Sequence, residues 1–373
     1  MAKAQGKQGD MTCIDWNWDT VPWRQIAGPL SRADDLLSRL DDRLAKSPIK
    51  EGWIARSHYY EACDGMWIAG ELVHLEDLVL HNERMDLRSP THELTKAHAI
   101  FRARQRIAQE APDWALSSAG LATLRGKGGF GSESSVLTEE PDEGDEPLAD
   151  EDDQNDLSSE FAALDAAMAR TQRLLAGEPL PEKSELVYDP LWDEDRRLDE
   201  WRAVVRRAGE LPPTLAAAIA LDAWERLQPL QHAMWLGPLL AAALLREKGR
   251  AKAHLPRIAA GIKALPREVR RAKDPAARLV GRVEAIAAAA EKGIADHDRW
   301  SLARAGFQVK LEGRRSTSKL GELVDFAMAR PLVTTSMIGK QLRITPRAAQ
   351  NLLAELGLRE ATSRARYRAW GVF

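Results

Sequence analysis

Thr345-Pro-Arg-Ala-Ala-Gln-Asn-Leu-Leu-Ala-Glu-Leu-Gly357 is the stretch around which the rest of the chain can be read. Thr345 is an N-cap residue type, and Pro346 follows at the first helical position, where a missing N–H costs nothing. Ala349, Leu352, Leu353 and Leu356 recur at i, i+3, i+4 and i+7, the spacing of one buried stripe. Gly357 then supplies the residue type that ends helices in the left-handed conformation. The opposite face carries Arg347, Ala348, Gln350, Asn351 and Glu355.

Working outward, residues 318–329 form an amphipathic helix with Leu320, Leu323, Val324 and Met328 on one side, closed by Arg330-Pro331. Thr334 or Thr335 caps a second short helix through Leu342, and Arg343-Ile344 makes a tight turn into Thr345. Downstream, Arg364, Arg366 and Arg368 alternate with Ala365, Tyr367 and Ala369, so an extended strand sets three guanidiniums on one face. Residues 313–373 as a whole resemble a winged helix-turn-helix domain. The resemblance implies that the Thr345 helix enters the major groove of double-stranded DNA. Arg347, Gln350 and Asn351 are the candidate base readers, since Arg pairs bidentately with guanine and Gln or Asn with adenine. Lys340, Thr345, Arg364, Arg366 and Arg368 are the candidate phosphate contacts. A protein-docking module would expose apolar residues on that face instead.

Charge is segregated along the 373 residues, although the net value is only −3. Residues 314–373 hold eleven Lys or Arg against four acids, and residues 246–282 hold twelve against three. Between Glu139 and Glu160 stand twelve acids and no base. A segment so poor in apolar residues cannot offset its chain entropy, so 126–160 is expected to be a disordered acidic linker. The 246–282 excess admits two readings, a solvated helix face or a phosphate-tracking surface.

The remaining chain is mainly α, with Ala, Leu, Arg and Glu and apolar residues three and four apart. The expected organisation is a tail over 1–20, an N-terminal helical domain over 21–125, the linker, a central helical domain over 161–312, and the winged helix over 313–373. Inward residues in the first domain include Leu30, Ala33, Leu36, Leu37 and Leu40, then Ile54, Tyr59, Ala62, Met66, Ala69, Leu72, Leu75, Leu78 and Leu80. Further helices are expected over 91–109, 158–175, 193–207, 213–227 (opened by a good cap) and 236–247. The twelve tryptophans are spread along the chain, which points to packing and not to one stacking platform.

Two cysteines cannot make a disulfide framework, and no apolar run reaches the roughly 18 residues that span a bilayer, so a cytoplasmic protein is expected. No metal, cofactor or enzymatic activity is expected: His74, His81, His92 and His98 lack zinc-ligand spacing, and no phosphate-binding loop or nucleophile elbow occurs. One alternative is a distant resemblance to the Fic nucleotidyl transferases. Tyr60-Glu-Ala-Cys-Asp-Gly-Met-Trp-Ile-Ala-Gly70 is similar to the family's N-terminal inhibitory segment, with Ala69 in place of its glutamate. Gln228-Pro-Leu-Gln-His-Ala-Met-Trp-Leu236 falls where the family's active-site motif lies. There Gln228 replaces the base, His232 the metal-binding acid and Leu236 the phosphate-binding arginine, which implies a relative without chemistry that acts as a protein-interaction scaffold. Trp23 to Leu30, Leu78 to His81 and Leu227 to Leu239 resemble an uncharacterised bacterial family that joins a helical domain of unknown function to a C-terminal helix-turn-helix. One winged helix covers few base pairs, so a homodimer is expected.

Overall fold

The computed structural model describes residues 16–85, 89–125, 192–312, 318–362 and 368–372. The expected linker over 126–160 and the helix over 158–175 lie outside them, as do residues 1–15 of the expected tail. Fourteen α-helices and one three-stranded sheet make up the regular structure of the described residues, a mainly α protein.

Helix α1 (Trp23–Ala45) buries Ile26, Leu30, Ala33, Leu37, Leu40 and Leu44, one stripe at helical spacing, and leaves its charged residues outside. Helices α2 (Lys50–Ile68) and α3 (Leu75–Asn82) are separated by Gly70, whose φ of 84° turns the chain. That turn pushes Leu72 into solvent, against the inward position its spacing suggests, and leaves Ala69 half-buried. Thr91 caps α4 (His92–Gln109) by accepting from the Leu94 N–H, and the short α5 (Ser118–Leu124) is capped by Ser117.

After the undescribed segment, Asp193 caps α6 (Glu194–Ala208), which buries Trp201. Helix α7 (Pro213–Leu227) starts without the side-chain cap expected of it, because the Thr214 hydroxyl donates instead to Asp34 of α1 at 2.5 Å. Helices α8 (Leu236–Glu247), α9 (Ile258–Ala264) and α10 (Arg267–Arg270) lead to α11 (Pro275–Leu311). With 37 residues α11 is roughly 55 Å long at 1.5 Å per residue, and it is the spine of the molecule.

The sequence divides these helices at the acidic stretch, but in three dimensions both sides share one core. Helix α1 lies along α11, where Gly293 admits Leu40; a Cβ at Gly293 would stand 2.6 Å from the leucine methyl. Trp53 of α2 donates from Nε1 to the Gly293 carbonyl. Four tryptophans, Trp53, Trp201, Trp224 and Trp300, are fully buried, as their scatter along the chain implied. The apolar stripes of the two halves close against one another in that core.

Candidate nucleic-acid interface

The C-terminal unit begins with α12 (Leu320–Ala329), which buries Leu320, Leu323, Val324 and Met328. A short strand that periodicity alone had not marked, β1 (Leu332–Thr334), leads into α13 (Thr335–Leu342). Of the two threonines, Thr334 is the cap, accepting from the Met337 N–H at 3.2 Å. Arg343 adopts the left-handed conformation (φ 54°, ψ 50°) and Ile344 N–H bonds back to the Gly339 carbonyl, so the chain reverses within two residues. Thr345 then caps α14 (Pro346–Leu356), its hydroxyl accepting from Ala348 at 3.3 Å, and Gly357 closes the helix at φ 68°.

Ala349, Leu353 and Leu356 are buried and Leu352 half-buried, the stripe its spacing dictates. Arg347, Gln350 and Asn351 lie exposed on the opposite side with Thr345 at their start, and Lys340 is exposed on α13. Arg347, Gln350 and Asn351 make no side-chain hydrogen bond or ion pair with the described residues. The first two turns of α14 therefore present one guanidinium and two amides to solvent. Arg343 is also exposed here, at the turn between the two helices; a cation in a helix-to-helix turn was a legible signal that helix spacing does not weigh.

Beyond Gly357, β2 (Arg359–Glu360) and β3 (Ala369–Gly371) pair antiparallel, and β1 adds to the far side of β3, giving the order β1-β3-β2. Arg364 and Arg366 lie outside the described residues. Arg368 does not stand free: its Nε and Nη2 bond to the two Glu360 carboxylate oxygens at 2.8 and 2.6 Å, and its guanidinium lies over Trp370. Hydrogen bonding to Arg368 holds the Glu360 carboxyl below the ordinary carboxylate range. The pairing arises because register sets Glu360 opposite Trp370, two residues from Arg368 and so on the same face of the hairpin.

This unit is seated on the helical body. Arg56 of α2, fully buried, donates to the carbonyls of Ala327, Arg330 and Val372, and its guanidinium stacks on Trp300 at 4.5 Å. Gly52 lets α2 approach, since a Cβ there would stand 2.8 Å from the Met328 carbonyl oxygen. Lys310 of α11 donates to the Leu356 carbonyl at 2.6 Å, placing a cation at the negative end of α14. No sequence pattern singles out Arg56, because its partners are backbone carbonyls far along the chain.

Much of the basic excess over 246–282 is committed internally. Arg250 pairs with Asp34, Arg257 with Asp64 and Asp296, Lys263 with Asp64, Arg278 with Asp222 and Arg282 with Glu225. Arg246 donates to the Ile107 carbonyl, and Arg270 lies over Trp67. These cations hold helices together, which favours the structural reading of the run.

The remaining candidates are scattered. His81 and His98 meet edge to face at 4.9 Å, and burial, with the neighbouring His81 and Arg102, lowers the His98 imidazole to about 4. Among the described residues no three His, Cys, Asp or Glu side chains gather as a metal site. Gln228 is the left-handed C-cap of α7, His232 sits in the following loop at φ 61°, and Leu236 is fully buried at the start of α8. No helix among the described residues is long and apolar enough to cross a membrane.

A helical body carrying a capped helix-turn-helix at its C-terminus is the class of protein these elements define. Residues 320–373 match the model of an HTH DNA binding domain, and residues 186–312 match that of a protein of unknown function, DUF1612. The chain is 46% identical over 355 residues to the uncharacterized protein y4cF of Sinorhizobium fredii, covering 90% of this chain and 93% of that relative. It belongs to that family, in which a DUF1612 region precedes a DNA-binding domain of the helix-turn-helix type.

Proposed function

We propose that this chain is a cytoplasmic regulator of transcription that binds double-stranded DNA sequence-specifically as a homodimer and performs no chemistry of its own. The observation that carries the reading is the first two turns of α14, where Arg347, Gln350 and Asn351 stand exposed on a helix whose other side is buried. Such a helix, following a short turn, fits the major groove with its N-terminal residues toward base edges. Arg347 reads guanine and Gln350 and Asn351 read adenine. Lys340, Arg343 and the capped N-terminus at Thr345 hold phosphates, and the β2–β3 hairpin serves as a wing whose Arg364 and Arg366 track the backbone, while Arg368 is held by Glu360. The matched DNA-binding domain supports this reading, and the helical body fixes the unit's orientation through Arg56.

The test is selection of duplexes from a random-sequence library with the full chain at low ionic strength. An enriched motif whose affinity falls steeply with salt is the expected result. Failure to retain duplexes of any composition would end the reading.

A further inference from the structure

Leu302 and Val309 are 76% and 65% exposed, and both belong to α11. Seven residues apart, they stand on one face of the helix. Between them on that face lie exposed Ala305 and Gly306. A Cβ at Gly306 would meet nothing within 4 Å, so no contact inside the chain uses the missing side chain. Glycine in a helix interior weakens the helix, and its structural use is to let another backbone come close. The stripe ends in opposite charges, with Arg299 at one end and Glu312 at the other. Arg299 reaches Asp296 yet remains half-exposed, and Glu312 makes no ion pair with a described residue.

The order of these residues is symmetric about the bond between Ala305 and Gly306. Leu302 and Val309 are equidistant from that centre, and so are Arg299 and Glu312. An antiparallel pairing of two such helices about a two-fold axis sets Leu302 against Val309, Ala305 against Gly306, and Arg299 against Glu312. Each of these three pairs sets apolar against apolar or cation against anion, as a self-complementary two-fold interface requires.

We propose that this stripe is the contact between two copies of the chain. The proposal rests on the homodimeric regulator reading and names its interface. The same part of α11 touches the DNA-binding unit, through Lys310 to Leu356 and Arg304 to Asp325, so the axis fixes both recognition helices relative to each other. Two large apolar side chains per copy fall well short of the roughly 800 Å² per partner of a stable interface. The pair is therefore weak in free solution and closes when two copies occupy neighbouring half-sites, giving cooperative binding to a two-fold symmetric sequence.

The experiment uses the full chain carrying Ala305→Cys, with Leu72→Cys as an exposed control, oxidised at high protein concentration with and without the selected duplex. A disulfide dimer at 305 about tenfold over the control, rising further on DNA, is expected from the raised local thiol concentration. Adding Leu302→Glu is expected to return it to the control level. Equal cross-linking at both positions, or an excess that Leu302→Glu leaves intact, would overturn the interface whether or not the chain binds DNA. An intact 305 cross-link in a chain that retains no duplex would overturn the regulator reading and leave the interface standing.

Discussion

Arg56 and Val372, 316 positions apart, are joined by a 2.7 Å hydrogen bond from the arginine Nη2 to the valine carbonyl. The same guanidinium bonds the carbonyls that end α12, so one buried side chain ties the first and last parts of the DNA-binding unit to α2. Replacing it removes the donors from three carbonyls at once, and each one left buried and unpaired costs about 1–3 kcal/mol. Arg56→Met is expected to lower stability to urea by about 3 kcal/mol or more. Residues 318–373 expressed alone should lack a cooperative transition, since the apolar face of α12 loses its cover. An isolated segment that unfolds cooperatively near the full chain's midpoint would show that the clamp matters little.

The proposed base and phosphate contacts are expected to separate by mutation. Arg347→Ala should erase about 1–3 kcal/mol of preference for the selected sequence over random duplex, while Lys340→Ala should weaken both alike and reduce the salt slope by about one. Fluorescence anisotropy titrations across a salt series measure both quantities. Equal losses on selected and random duplex for both variants would refute the division.

Glu360 neutralises Arg368 on the hairpin. Glu360→Gln releases that guanidinium, and binding to every duplex should tighten with a salt slope steeper by about one. An unchanged slope would show that a released Arg368 makes no phosphate contact.

His58 is buried against Phe101 with Arg104 nearby, and burial, aided by that cation, depresses its imidazole to about 3. The unfolded chain, titrating near 6.5, therefore takes up a proton that the folded chain refuses. Its contribution is complete above about pH 6.5 and lost as the pH falls toward 3. By pH 5 the loss is about 2 kcal/mol from this residue. His58→Phe should flatten the fall in urea midpoint between pH 7 and 5, whatever it does to stability at pH 7; an unchanged slope would count against a neutral buried His58.

The local pieces are legible in the order of residues. Caps, proline positions, glycine stops and a stripe three and four apart fix α14, because those effects act within one or two turns, and the exposed face at Arg347, Gln350 and Asn351 follows from where the stripe lies. Helix α8 ends just before Gly249, which takes φ 72°, for the same reason. Where charges and halves meet depends on how the helices close in three dimensions. The basic excess of 246–282 reads as one surface along the chain, yet Asp34, Asp64, Asp222 and Asp296 arrive from distant helices to neutralise it. Arg368 finds Glu360 only through strand register, and Arg56 finds Val372 only because glycine at 52 lets two helices close. Such contacts depend on long-range closure of the core, which leaves no periodic mark in the order of residues.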